Sequence, residues 1–149
     1  AITAQDLVAP SVLSSTTALT DVSEGVFPKF NGVTTITFSE PLYYVNDRGY
    51  WEALERDYLE QELTKLGTAG GFGLRLVTTS SAADAAGDQP ITQMVIEFEN
   101  VVNGTTFVLP HVIGDKINKS GRLNLTFVRR GFATDKLPYD GSGFDAVFK

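Results

Sequence analysis

The feature of this sequence that most limits its fold is a period-two alternation of apolar and polar side chains, repeated along much of the chain. Ile36 and Phe38 share one face of an extended segment, while Thr35 and Thr37 share the other. Successive side chains of a β-strand point to opposite faces, so each such segment has one buried and one solvated face. The same alternation recurs at 72–76, 94–98, 107–109, 123–127 and 144–148. Together with a first strand at about 7–13, it predicts about seven strands, the number typical of a two-sheet β-sandwich.

One segment departs from this alternation. Residues 47–66 are rich in Glu and Leu, contain no proline, begin beside Asn46 and stop before Gly67. Asn and Asp are favoured at the start of helices and Gly just past their ends. We therefore predict one α-helix over 47–66, inserted into the sandwich. The side chains expected to dock it are Leu54, Tyr58 and Leu63.

The chain reads as a single domain over residues 1–149. This length is enough to bury one core, and no linker or internal repeat divides it. The prolines mostly lie at strand ends, but Pro10 falls inside the first predicted strand, which favours an edge strand there. The small, polar stretch 78–88 is predicted to be an exposed loop.

Composition and charge argue against several classes of partner. Eighteen acidic and twelve basic residues give a formal charge of −6, and no basic cluster exceeds Arg129-Arg130. A protein that binds nucleic acid needs a basic face to displace phosphate counterions, so no nucleic-acid partner is expected. The composition is that of a globular protein and predicts no membrane insertion. The absence of cysteine removes disulfides and thiolate chemistry.

The first residues of the sequence are consistent with two origins of Ala1 as the amino terminus. They contain neither a basic start nor an apolar run, and Ala1 fits both signal-peptide cleavage and removal of an initiator Met. The first origin predicts an extracellular or cell-surface protein. The second predicts a protein assembled inside the cell, such as a virion component.

Four segments resemble bacterial Ig-like modules of cell-surface proteins. Residues 6–12 are similar to the first strand of such a module, 36–42 to its second strand and 104–108 to its penultimate strand, while 114–121 resembles a turn that carries Asp. The segment 47–66 departs from the pattern as an insertion, and an additional strand pair follows the turn. The resemblance implies an Ig-like or jelly-roll β-sandwich that serves a structural purpose in S-layers, adhesins or fibres.

No residue set has the pattern of a catalytic site. His111 is the only histidine, and no Gly-x-Ser-x-Gly motif accompanies it, so we interpret it as a surface or half-buried turn residue. Glu97 and Glu99 share one strand face, where two carboxylates suit a glycosidase, but a solubilising stripe is the simpler interpretation. The expectation is a non-enzymatic protein without a required cofactor.

Oxygen-rich turns offer candidate Ca²⁺ ligands, because calcium is bound by carboxylate and carbonyl oxygens from flexible loops. Two groups have suitable residue types, and neither has the spacing of an EF-hand loop. They are Asp115 with Asn118 and Ser120, and Asp135 with Asp140 and Asp145. The alternative is ordinary turn chemistry, in which Asp and Asn bond their own backbone.

Two features of the sequence concern glycans, one their attachment and the other their binding. Three Asn-x-Ser/Thr sequons are potential acceptors if the protein is secreted by a glycosylating cell, at Asn103, Asn118 and Asn124. The aromatic residues around the predicted helix start are suited to stacking on sugar rings or to packing the helix onto the sheet, and they are Tyr43, Tyr44, Tyr50 and Trp51.

These features predict a structural subunit of an extracellular assembly whose partners are copies of itself. The apolar, strand-prone segment 1–13 is a candidate for completing a neighbour's sheet, with Ile2, Leu7 and Val12 as the inserted side chains. The alternative is that the segment pairs inside its own sandwich as the first strand, which the tendency of sequential strands to pair locally favours. A virion structural or decoration protein and a carbohydrate-binding module are the alternatives.

Overall fold

The computed structural model describes residues 8–22, 28–129 and 143–149, which contain eleven β-strands and one α-helix. In chain order the elements are β1 (Val12–Asp21), β2 (Lys29–Phe38), β3 (Tyr43–Val45), β4 (Trp51–Ala53), α1 (Arg56–Gly70), β5 (Gly73–Ser81), β6 (Ile91–Val102), β7 (Thr106–Val108), β8 (Ile113–Gly114), β9 (Lys119–Gly121), β10 (Leu123–Val128) and β11 (Gly143–Phe148). Three antiparallel sheets result, with the strand orders β1-β2-β6-β5, β11-β10-β7 and β4-β3-β8-β9. The prediction of a mainly-β sandwich with a single inserted helix is confirmed. Six of the described strands have at least six residues, close to the expected seven.

Alternation along the two central strands of the four-stranded sheet β1-β2-β6-β5 places their apolar side chains inside. Ile36 and Phe38 on β2 and Ile96 and Phe98 on β6 are all buried. Ile36 pairs with Met94 across the ladder, and Thr34 pairs with Ile96. The predicted buried faces of these strands are therefore confirmed.

Phenylalanine rings join this sheet to the sheet β11-β10-β7. Phe98 lies edge-on to Phe127, with ring centroids 5.4 Å apart, and to Phe144, at 5.1 Å. Phe30 adds a tilted contact with Phe127 at 5.5 Å. Edge-to-face contacts of this kind add to the free energy gained by burying the rings. The interior between the two sheets is thus an aromatic cluster.

The first and last described strands meet along one side of the sandwich. The Ser15 hydroxyl of β1 donates a hydrogen bond of 2.6 Å to the carbonyl oxygen of Phe144 on β11. A Cβ atom at Gly143 would collide with the side chain of Thr17. Each strand is the outermost strand of its own sheet. We call this contact, formed by Ser15, Thr17, Gly143 and Phe144, the β1–β11 seam.

The bounds of the helix differ from the predicted range 47–66. The helix begins at Arg56 and ends at Gly70. Gly67, the predicted end, is buried where the helix crosses β5, and Gly71 instead takes the left-handed conformation (φ 76°) that stops the helix. Gly67 allows the close approach of the helix to β5, whereas Gly71 supplies the positive φ that terminates the helix.

The segment predicted as the first helical turns forms a β-hairpin. The Asn46 side-chain oxygen accepts hydrogen bonds of 3.0 Å from the backbone amides of Arg48 and Tyr50, and Gly49 has φ 86°. This is turn chemistry, in which Asn bonds its own backbone and Gly supplies the positive φ. The hairpin pairs Tyr44 with Glu52 across β3 and β4.

The helix docks through the face that carries Leu59, Leu63 and Gly67, all of them buried. Leu63 therefore docks as predicted, whereas Tyr58 is only half-buried. Leu54 is also buried, but it lies before the helix begins. Its backbone amide donates to the carbonyl oxygen of Leu42, and its carbonyl oxygen accepts from the amide of Ile91.

Leu54→Ala is expected to lower the free energy of unfolding by about 2–4 kcal/mol, because the side chain is 1% exposed and its removal leaves a cavity. Chemical denaturation followed by circular dichroism measures this loss. Leu13→Ala is the matched control, since Leu13 is 65% exposed. A loss below about half a kcal/mol at Leu54 would contradict its place in the core.

Two other sequence-based boundaries are corrected. The first described strand is β1 (Val12–Asp21) rather than 7–13, and Pro10 lies before it. The position of β1 at the outer side of its sheet nevertheless agrees with an edge strand. The exposed polar loop starts at Ala82 rather than Thr78, because β5 continues to Ser81.

Candidate functional site

A cleft of about 390 Å³ lies beside the β3–β4 hairpin, at the start of α1. Its lining combines three aromatic rings, four carboxylates and one amine. These side chains, with Ala53, define what we call the aromatic cleft: Tyr44, Trp51, Tyr58, Glu52, Glu55, Asp57, Asp88 and Lys116. A concave surface of this size with convergent polar groups is typical of ligand sites.

The hairpin and the helix are held together by stacked rings. Tyr44 of β3 and Tyr58 of α1 lie face to face, with centroids 4.0 Å apart and planes inclined by 16°. His111, in the connection between β7 and β8, packs against both rings at 5.2 and 5.6 Å. The interpretation that aromatics near the helix start pack the helix onto a sheet is therefore confirmed for Tyr44.

A chain of hydrogen bonds fixes these rings. His111 Nδ1 lies 2.6 Å from the Tyr58 hydroxyl, and His111 Nε2 lies 3.0 Å from Asp47 Oδ1. The Tyr44 hydroxyl donates to Glu52 Oε2 at 2.6 Å. The imidazole is half-buried, as expected from the sequence, and both of its nitrogens have a partner.

The electrostatics of the cleft favour the protonated form of its two phenols and the ionised form of Glu52. Burial, followed by the negative charge of Glu62, raises the pKa of Tyr58. Burial and the hydrogen bond to Glu52 raise the pKa of Tyr44. The same hydrogen bond from Tyr44 lowers the pKa of Glu52. A raised phenol pKa opposes formation of a tyrosinate at either ring.

A second aromatic–ionic group borders the cleft. The Lys116 ammonium lies 4.4 Å from the centre of the Tyr43 ring and 3.6 Å from Asp84 Oδ2. The Tyr43 hydroxyl donates to the same carboxylate oxygen at 3.1 Å, and burial together with this bond raises its pKa to about 12. These contacts tie the turn after β8 to the loop after β5.

The structure brings part of the first calcium candidate group together. Asp115 Oδ1 accepts hydrogen bonds from the amides of Ile117 (2.9 Å) and Asn118 (2.6 Å), and Asn118 Nδ2 donates to Asp115 Oδ2. Although burial acts to raise the pKa of Asp115, these bonds lower it. The Ser120 hydroxyl instead donates to the carbonyl oxygen of Pro10. Asp115 and Asn118 therefore show the turn chemistry considered as the alternative to metal binding.

The second calcium candidate group is only partly described. Asp145 lies on β11, while Asp135 and Asp140 lie outside the described residues. Within 8–22, 28–129 and 143–149, no three His, Cys, Asp or Glu side chains are grouped so that they could hold a metal ion.

The three sequon asparagines lie in different settings. Asn103 is exposed in the β6–β7 turn, and its side-chain oxygen accepts from the Arg129 amide at 3.1 Å. Asn118 belongs to the Asp115 turn. Asn124 is half-buried on β10, where its side chain donates to the Arg122 carbonyl oxygen.

Of the proposed assembly residues, Val12 is described, whereas Ile2 and Leu7 lie outside the described residues. Val12 begins β1 and packs partly against the core. It lines a groove of about 380 Å³, which we call the terminal groove, formed by Ala9, Pro10, Ser11, Val12, Lys119, Ser120, Ala146, Val147 and Phe148. Exposed apolar side chains lie in or next to this lining, namely Val8, Leu13 and Val147.

No protein-family model, curated protein or solved structure matches this chain. The helix α1, the only one in the described part of the chain, is too short and too polar to cross a membrane.

Proposed function

We propose that the protein is a non-enzymatic structural subunit of an extracellular assembly, such as a surface filament, S-layer or fibre. In this proposal it associates with copies of itself through β-strand contacts, and the terminal groove receives the strand. The observation that carries the proposal is the position of that groove between the outermost strands of two sheets, β1 and β11.

Edge strands present unpaired backbone groups, and an added strand satisfies them while filling pockets with alternate side chains. The terminal groove offers an apolar side chain for such a contact, since Val147 in its lining is 44% exposed. Val8 and Leu13, which neighbour the lining residues Ala9 and Val12 in the sequence, are 67% and 65% exposed. Burying exposed apolar surface of this kind favours association.

The other long edge strand offers less opportunity for strand addition. The strand β5 lies against α1, and its pairing with β6 shifts register at two points, between Leu76 and Thr78 and between Ser80 and Ser81. Bulges and covering helices are common protections of sheet edges. This contrast favours the terminal groove over the β5 edge as the place where a second copy joins.

The occupant in this proposal is the segment 1–7 of a neighbouring copy, with Ile2 and Leu7 as its apolar side chains. Val12 belongs to the receiving sandwich, since it pairs with Phe38 of its own sheet. This differs from the expectation that Val12 is one of the inserted side chains. Its place at the groove makes it part of the receptor.

Deletion of residues 1–6 is expected to leave a folded monomer that no longer assembles. Val147→Asp is expected to have the same effect, because Val147 lines the groove and a carboxylate there must be desolvated when the strand binds. Light scattering after size-exclusion chromatography and electron microscopy measure assembly, and circular dichroism measures folding. Val108→Asp, at an apolar residue on β7 that is 36% exposed, is the matched control.

Unimpaired assembly of both variants would overturn strand donation, as would an unfolded deletion product, which would show that the segment belongs to its own sandwich. The alternative function is that of a virion structural or decoration protein, in which the same contacts would join the subunits of a viral particle. Electron microscopy of the native material separates a filament or lattice from a capsid.

A further inference from the structure

The aromatic cleft shares no lining residue with the terminal groove, so the proposed assembly leaves its chemistry unused. The chain contains one tryptophan, Trp51, and it lies in this cleft. A Cβ atom at Gly114 would lie 2.6 Å from Trp51 Cη2, so the indole rests directly on the backbone of β8. The absence of a side chain at Gly114 is therefore what allows the indole to take this position.

We propose that the aromatic cleft binds an uncharged saccharide. The cleft combines three aromatic rings. Trp51 lies beside the stacked pair Tyr44 and Tyr58, and all three line the cleft. Sugar rings have apolar C–H faces, and large aromatic side chains offer those faces a rigid apolar surface.

The cleft also supplies hydrogen-bond acceptors beside these rings. The carboxylates of Asp57 and Asp88 are exposed and make no hydrogen bond or ion pair with the described part of the chain. Glu52, in contrast, already accepts from the Tyr44 hydroxyl. An ionised carboxylate has several acceptor sites, so Asp57 and Asp88 are able to accept from sugar hydroxyls.

The charge of the cleft selects among saccharides. Four carboxylates line the cleft with a single amine, that of Lys116, whose ammonium already contacts Asp84 and the Tyr43 ring. Like charges repel across such a cleft, so sialylated or uronic-acid sugars are disfavoured. An uncharged sugar uses both the rings and the acceptors.

The test uses cellotetraose and N-acetylated chitotetraose as uncharged probes, sialyllactose as the anionic probe and spermine as a cation without sugar rings. Because Trp51 is the only tryptophan, its fluorescence reports binding in this cleft without interference from another indole. At least one uncharged probe is expected to shift the Trp51 emission in a saturable manner, while sialyllactose does not.

Trp51→Ala and the double variant Asp57→Ala/Asp88→Ala are each expected to weaken binding of that probe by about tenfold or more, measured by calorimetry. Tyr50→Ala is the control, because Tyr50 is 68% exposed and does not line the cleft. The double variant changes exposed side chains only, so it keeps the test valid if Trp51→Ala fails to fold.

Three results would overturn the proposal. They are no response to either uncharged probe, equal affinity in the cleft variants and the unchanged protein, and binding of spermine alone. The last result would identify the cleft as an acidic surface for cations. Assembly through the terminal groove is measured separately, so failure of one proposal leaves the other intact.

Discussion

Phe98→Ala is expected to lower the free energy of unfolding by about 3–5 kcal/mol, the range for removing a fully buried aromatic ring. Phe98 is 0% exposed and lies edge-on to both Phe127 and Phe144. Its ring joins the strand β6 to both β10 and β11, so its loss leaves a cavity bordered by both sheets. Urea denaturation followed by circular dichroism measures the change.

Phe148→Ala is the matched control for this substitution. Phe148 is only partly buried, and its ring contact is a tilted one with Phe38 at 6.0 Å. A smaller cavity and less lost apolar area predict a smaller loss of stability. Equal losses in the two variants would show that the aromatic cluster around Phe98 does not dominate the core.

Gly143→Ala is expected to cost about 2–4 kcal/mol, from two causes that act together. Gly143 has φ 130°, a conformation that side chains rarely adopt, and the added Cβ would collide with the side chain of Thr17. Thr17 has little room to turn away, because its buried hydroxyl bonds that of Thr34 at 2.8 Å. Thermal and urea unfolding give the size of the effect.

Gly104→Ala separates these two causes. Gly104 also has a positive φ, of 90°, but a Cβ there would meet nothing within 4 Å. Only the conformational penalty of about 1 kcal/mol is expected at this position. If Gly143→Ala cost no more than Gly104→Ala, the close contact across the β1–β11 seam would play no part in stability.

The faces of the long strands are predictable from the sequence because the side-chain period of a strand is two and the core accepts only apolar side chains. Ile96 and Phe98 illustrate this, since both are buried as their spacing predicts. Pairing partners are harder to predict. The contact between β1 and β11 joins segments more than a hundred residues apart, and no local pattern encodes it.

The helix boundary shows where local signals conflict. Asn46 fits both a helix cap and a hairpin turn, and the Gly49 that follows favours the turn. The predicted helix start at 47 took Asn46 as a cap and overlooked Gly49, whose positive φ of 86° belongs to the turn. Likewise, Gly67 and Gly71 are both plausible helix ends, and the choice depends on the close approach of α1 to β5.

The aromatic cleft was only partly predictable. Tyr44 and Trp51 stand out in the sequence as aromatics near the helix, whereas the contribution of His111 depends on its approach to Tyr58, which lies 53 residues earlier. The interpretation of His111 as a half-buried turn residue agrees with its burial but misses both of its hydrogen-bond partners. Such contacts result from tertiary folding, which the spacing of residues does not reveal.

The terminal groove has a topological consequence. The chain enters the sandwich along Pro10 and Val12 and leaves it along Ala146 and Phe148, and these residues line the same groove. When the two ends of a domain are adjacent, a short linker can join them and new ends can be opened in an exposed loop. The polar loop 82–89, which follows β5, is such a loop. The sandwich is thus suited to circular permutation, with the order of its strands along the chain changed and their positions in the sheets retained.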